Sequence, residues 1–125
     1  MTKKVMTEKV MTEKVIMNNL YENVIENLEK TYKELYSNSE WKLNSDNYSQ
    51  AIENFYKTLN EDQKKDFFIL VNQISTDTIS HVFGILDGSS SSDIDEEFRL
   101  IDENNKEYEF LQDSFLEVVE ENQNK

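Results

Sequence analysis

The stretch EDQKKDFFILVNQISTDTISHVFGILDG, residues 61–88, decides the fold. Projected at about 100° per residue, Phe67, Phe68, Leu70, Val71, Ile74, Thr78, Ile79, Val82, Phe83, Ile85 and Leu86 cover more than half of a helical circumference. An apolar arc that wide needs neighbours on two flanks, so the spacing predicts a central helix. Asn60-Glu-Asp-Gln63 is a capping-box pattern with Asn in the place of Ser or Thr, and Gly88 is suited to the left-handed turn that stops a helix. Ser75-Thr-Asp-Thr78 is poor in helix formers and leaves room for a kink.

Upstream, Leu20, Tyr21, Val24, Ile25, Leu28, Tyr32, Leu35 and Tyr36 recur at three- and four-residue spacing and predict an amphipathic helix over 17–36. Ser37-Asn-Ser39 breaks it, and Trp41 and Leu43 follow in a polar connector. A shorter helix is predicted after Ser45, with Tyr48, Ile52, Phe55, Tyr56 and Leu59 on one side. The first residues repeat a pentad, Thr2-Lys-Lys-Val-Met6, Thr7-Glu-Lys-Val-Met11 and Thr12-Glu-Lys-Val-Ile16, with Met1, Met6, Met11 and Met17 as alternative starts. A five-residue step rotates about 140° past a full turn, so Val5, Val10 and Val15 share no face and the repeat builds no packing stripe. Residues 1–16 are therefore expected to be a poorly ordered extension.

Downstream of the Ser89–Ser92 linker the period changes to two. Phe98 and Leu100 alternate around Arg99, and Tyr108 and Phe110 around Glu109, on either side of Asp102-Glu-Asn-Asn105. This predicts a β-hairpin around 97–111, with its Phe98/Leu100/Tyr108/Phe110 face laid on the helices because an isolated hairpin is marginal in water. Asp113 or Ser114 is the expected cap of a last helix carrying Phe115, Leu116, Val118 and Val119. The expected architecture is mainly α, a bundle of three to four helices with a small C-terminal β-hairpin. It forms one domain over 17–120, followed by a polar tail at 121–125.

Composition narrows the function. The 125 residues include no Cys, no Pro and two Gly, so there is no disulfide framework and no thiolate zinc site. No apolar run reaches the roughly 18 residues that cross a bilayer, and a cytoplasmic protein with no membrane partner is expected. Formal net charge is −13, and residues 87–125 hold thirteen of the 26 acidic side chains against Arg99, Lys106 and Lys125. Such a field repels phosphate backbones and speeds encounter with basic surfaces. Direct nucleic-acid binding is accordingly not expected, and a basic protein surface is the expected partner.

Two further motifs carry weaker signals. Asp77 and His81 stand one turn apart, as a general base or metal ligand with an orienting carboxylate requires, but no further ligands accompany them and a structural pair is the favoured reading. Asp93-x-Asp95-x-Glu97 begins like a calcium loop, then places Phe98 where the glycine belongs and Asn104 where the bidentate glutamate belongs. No cofactor or metal is expected. Tyr32, Tyr36, Tyr48 and Tyr56 surround the first connector at core-like spacing, whereas Trp41 sits off the pattern.

The functional expectation is a small acidic, non-enzymatic protein-binding module of the inhibitor or immunity type, an antagonist of a basic, nucleic-acid-handling protein. Asp93, Asp95, Glu96, Glu97, Glu107 and Glu109 would steer encounter and Trp41 would anchor it. The analogy to small acidic immunity proteins is one of composition, and no family motif is present. Two alternatives are a self-associating structural or regulatory helical bundle that closes a homodimer and a small metal-dependent or acid–base enzyme centred on Asp77 and His81.

Overall fold

The central segment is one unbroken helix, α4, spanning Glu61–Asp87. Asn60 accepts from the Gln63 backbone at 2.8 Å and the Gln63 side chain accepts from the Asn60 backbone at 2.9 Å, so both halves of the capping box form. Gly88 ends the helix at φ 78°, a conformation a side chain would strain. The computed structural model describes residues 13–37, 47–89, 93 and 95–124. Besides α4 these residues form α1 (Glu13–Leu20), a π-helical turn (Tyr21–Glu26), α2 (Asn27–Ser37), α3 (Asn47–Lys57), β1 (Leu100–Ile101), β2 (Glu107–Tyr108) and α5 (Leu111–Gln123). The result is mainly α with a minor antiparallel hairpin.

The helix is not interrupted at Ser75–Thr78. Thr76 of that stretch, with Ser80 and Gly84 at four-residue steps, is buried on one face of α4. Small side chains there allow close approach, and Gln112 of α5 donates its amide to the Ser80 carbonyl at 3.0 Å. Thr78 is satisfied within the helix by the Ile74 carbonyl at 2.7 Å.

Helices α1 and α2 run continuously through the π turn. The Asn27 N–H reaches the Glu22 carbonyl five residues back, and both flanking residues keep right-handed helical dihedrals. The turn joins halves with different neighbours, since α1 packs on α5 whereas α2 packs on α4. Around α1 the core collects Met17, Tyr108, Leu111, Phe115, Val118 and Val119, flanked by Ile79 and Phe83 of α4. Phe83 and Phe115 meet edge to face at 5.6 Å between centroids. Lys14 ties α1 to Glu121 of α5 at 2.7 Å, a contact that pushes the lysine pKa up.

A second, aromatic cluster lies at the other end. Tyr36, Tyr56, Phe67 and Phe68 pack with centroid separations from 5.2 to 6.3 Å. Burial pushes the Tyr36 hydroxyl pKa up, with Tyr32 adding to it. The core-like spacing holds here only in part: Tyr56 is buried and Tyr36 half-buried, but Tyr32 and Tyr48 are exposed.

Candidate functional site

The hairpin is built by its turn. Asp102 Oδ1 accepts from the backbone N–H of Asn104 at 2.8 Å and of Lys106 at 3.0 Å, while Oδ2 accepts from the Tyr108 hydroxyl at 2.9 Å. These bonds, that from Lys106 foremost, hold the Asp102 carboxyl below its ordinary pKa, although partial burial opposes them. Burial, and then the bond to Asp102, pushes the Tyr108 hydroxyl up. Asn105 supplies the left-handed residue at φ 64°. The register pairs Leu100 with Tyr108 and Ile101 with Glu107.

Only Tyr108 of the expected inward face is buried. Phe98, Leu100 and Phe110 remain exposed, because each strand is two residues long and the chain leaves the ladder before Phe110. Phe110 begins α5 at φ 56° and is 68% exposed. A left-handed conformation costs a non-glycine residue about 1–2 kcal/mol.

The expected caps of the last helix, Asp113 and Ser114, do not cap it. Asp87, from the end of α4, accepts from Leu111 N–H at 3.1 Å and Gln112 N–H at 2.8 Å. A carboxylate 24 residues away thus satisfies orphan donors at the positive end of α5.

Between these elements lies a cleft of about 330 Å³. Among the described residues Asp87, Glu107, Glu109 and Asp113 supply its carboxylates, Phe98, Tyr108 and Phe110 its aromatic walls, and Arg99 its cation. Arg99 approaches Glu107 at 3.9 Å, a long and exposed pair worth little. No known protein family, characterised protein or solved structure matches the chain.

Six of the sequence-nominated residues lie in this region, but they divide. Glu107 and Glu109 line the cleft, whereas Asp93, Asp95, Glu96 and Glu97 are exposed on the approach to β1 and outside its lining. Trp41 lies outside the described residues. The residues that sequence reasoning missed are Phe98 and Phe110 as exposed walls and Asp87 as a distal cap. No pattern marks a phenylalanine for a left-handed turn, and no local spacing marks a cap supplied from another helix.

Asp77 and His81 are exposed on α4, and Asp77 accepts from Gln73 at 3.0 Å. No hydrogen bond joins the two among the described residues, so the carboxylate does not orient the imidazole. Among the described residues no group of three His, Asp or Glu side chains is arranged for a metal ion, and no helix is long and apolar enough to cross a membrane.

Proposed function

We propose that the chain is a non-enzymatic binding module that docks on a basic protein surface through its hairpin end, in the manner of an inhibitor or antagonist. The observation that carries this reading is Phe110, an aromatic side chain kept in solvent on a costly backbone conformation beside a cleft walled by carboxylates. A guanidinium or ammonium entering there meets Glu107 and Glu109 as charge partners and Phe98 and Phe110 as ring faces. Asp93, Asp95, Glu96 and Glu97, exposed beside the cleft, extend the attractive field beyond the contact itself. Phe110 is a second aromatic anchor beside the expected Trp41, because it lines the cleft with the carboxylates.

The test is capture from a lysate with the wild-type chain, with Phe110→Gly, and with Glu96, Glu97, Glu107 and Glu109 all changed to Gln. Basic proteins should be retained by the wild type, released by raising salt a few-fold, and lost with both variants. Retention of neutral or acidic proteins, or binding indifferent to salt and to both variants, would overturn the reading.

A further inference from the structure

At the pole opposite the hairpin, α2, α3 and the first half of α4 enclose an apolar groove of about 680 Å³. Leu28, Tyr32, Ile52 and Phe55 line it and are each between 38 and 55% exposed. The surface does not stop at the groove. Leu70 and Ile74, more than half exposed, continue it along α4 beside the lining residues Val71 and Ser75. These six side chains leave on the order of 500 Å² of apolar surface in one region, the upper range of what a monomer shows in one patch.

Charge decides which occupant fits. Over residues 27–37 and 47–75 there are six carboxylates and five lysines, against thirteen carboxylates and three cations in residues 87–125. A second copy carries the same acidic pole and is repelled from the hairpin end, but the groove end is close to neutral. Meeting groove to groove also keeps the acidic poles apart. Val71 and Leu86 are roughly 22 Å apart along α4, more than twice the screening length of about 8 Å at physiological salt. A two-fold pairing places each apolar patch on its own copy and doubles the buried area, reaching the 1,200–2,000 Å² of a stable interface once rim residues are included.

We infer that the chain forms a two-fold homodimer through the groove of α2, α3 and α4 and the adjoining Leu70/Ile74 face of α4. This goes beyond the docking of a basic partner and does not depend on it. The contact is apolar and close to charge-neutral, so it persists at high salt, and the repulsion between two −13 chains opposes it only at low salt, where screening is weak.

Sedimentation velocity on the full chain, from about 1 to 300 μM at two salt concentrations, tests the inference. A monomer–dimer equilibrium should appear and tighten at the higher salt. Ile52→Gln with Ile74→Gln should weaken it at least tenfold while leaving the circular dichroism melt within a few degrees of wild type. Ile52 and Ile74 are exposed, so the variants are expected to fold, and unchanged dimerisation with the native melt overturns the assignment. A monomer at every concentration also overturns it. That includes the case in which residues 38–46 of the same chain fill the groove, recognised by Trp41 fluorescence that is shielded from quenchers and becomes exposed in the Ile52→Gln variant.

Discussion

Replacing Asp87 separates the capping arrangement seen in the fold from the one that local sequence favours. Its two carboxylate oxygens accept from Leu111 and Gln112, and Leu111 is itself buried, so its N–H has no easy recourse to water. Losing a capping acceptor costs about 1 kcal/mol, and losing a negative charge at a helix N-terminus costs a further 0.3–1 kcal/mol. Asp87→Ala should therefore destabilise the chain by about 2 kcal/mol, and Asp87→Asn, which keeps one acceptor oxygen, by about 1 kcal/mol. Asp113→Ala removes the residue the local pattern nominates and should cost no more than about 0.5 kcal/mol, because its side chain makes no cap. Urea titrations read these differences directly, and thermal melts convert them at roughly 4 °C per kcal/mol for a domain of this size. Equal losses for Asp87→Ala and Asp113→Ala, or a loss below about 0.5 kcal/mol for Asp87→Ala, would refute the distal cap.

Three further outcomes are expected. Asp102 is held ionised by the folded hairpin, so its stabilising contribution is complete above the ordinary aspartate range near pH 4 and is lost as pH falls through the lowered folded value. Protection of the Asn104 and Lys106 amides, taken relative to their intrinsic exchange rates, should fall on acidification below about pH 4, and Asp102→Asn should remove that dependence. Phe115, fully buried against Phe83 and Met17, should cost about 3–5 kcal/mol on truncation to Ala, read by denaturant unfolding. Glu53 is buried and meets Lys57 at 2.6 Å, whereas the lysine remains about half exposed. Lys57→Ala, which removes the cation from a buried carboxylate, should therefore cost about 3 kcal/mol or more in the same assay, and Lys57→Arg, which keeps the charge, should cost much less.

The parts of this fold that were legible are those governed by local chemistry. Asn60, Gln63 and Gly88 set the ends of α4 through bonds and dihedrals available within a few residues, so the pattern and the structure coincide. The period-two run around Asp102–Asn105 likewise located the hairpin, because its turn is closed by Asp102 itself. The failures share a cause of the opposite kind. Thr76, Ser80 and Gly84 look like weak helix formers until α5 is laid across them, and Asp87 is an ordinary helix-end acid until Leu111 arrives from 24 residues away. Phe110 alternates as an inward strand residue would, yet the short ladder ends first and the chain turns through it into α5. For the site, clustering of carboxylates was readable from composition, but the division between those that line a cleft and those that flank it depends on the register of two short strands.

The two surfaces are joined by α4 and are nonetheless independent in electrostatic terms. Val71 lines the groove and Leu86 the acidic cleft, and their separation of roughly 22 Å exceeds the screening length enough that neutralising Glu107 and Glu109 should scarcely alter the potential at Phe55. Their responses to ionic strength have opposite signs, since contact with a basic partner gains from attraction that salt removes, whereas contact between like copies suffers a repulsion that salt removes. A two-fold arrangement through the groove would leave both acidic poles facing outward. Two weak sites on one particle then bind an extended or oligomeric basic partner with an effective concentration set by the rigid α4 spacing. Self-association would in that case raise apparent affinity for such a partner without touching the residues that contact it, and Ile52→Gln with Ile74→Gln would lower that affinity only when the partner itself offers two sites.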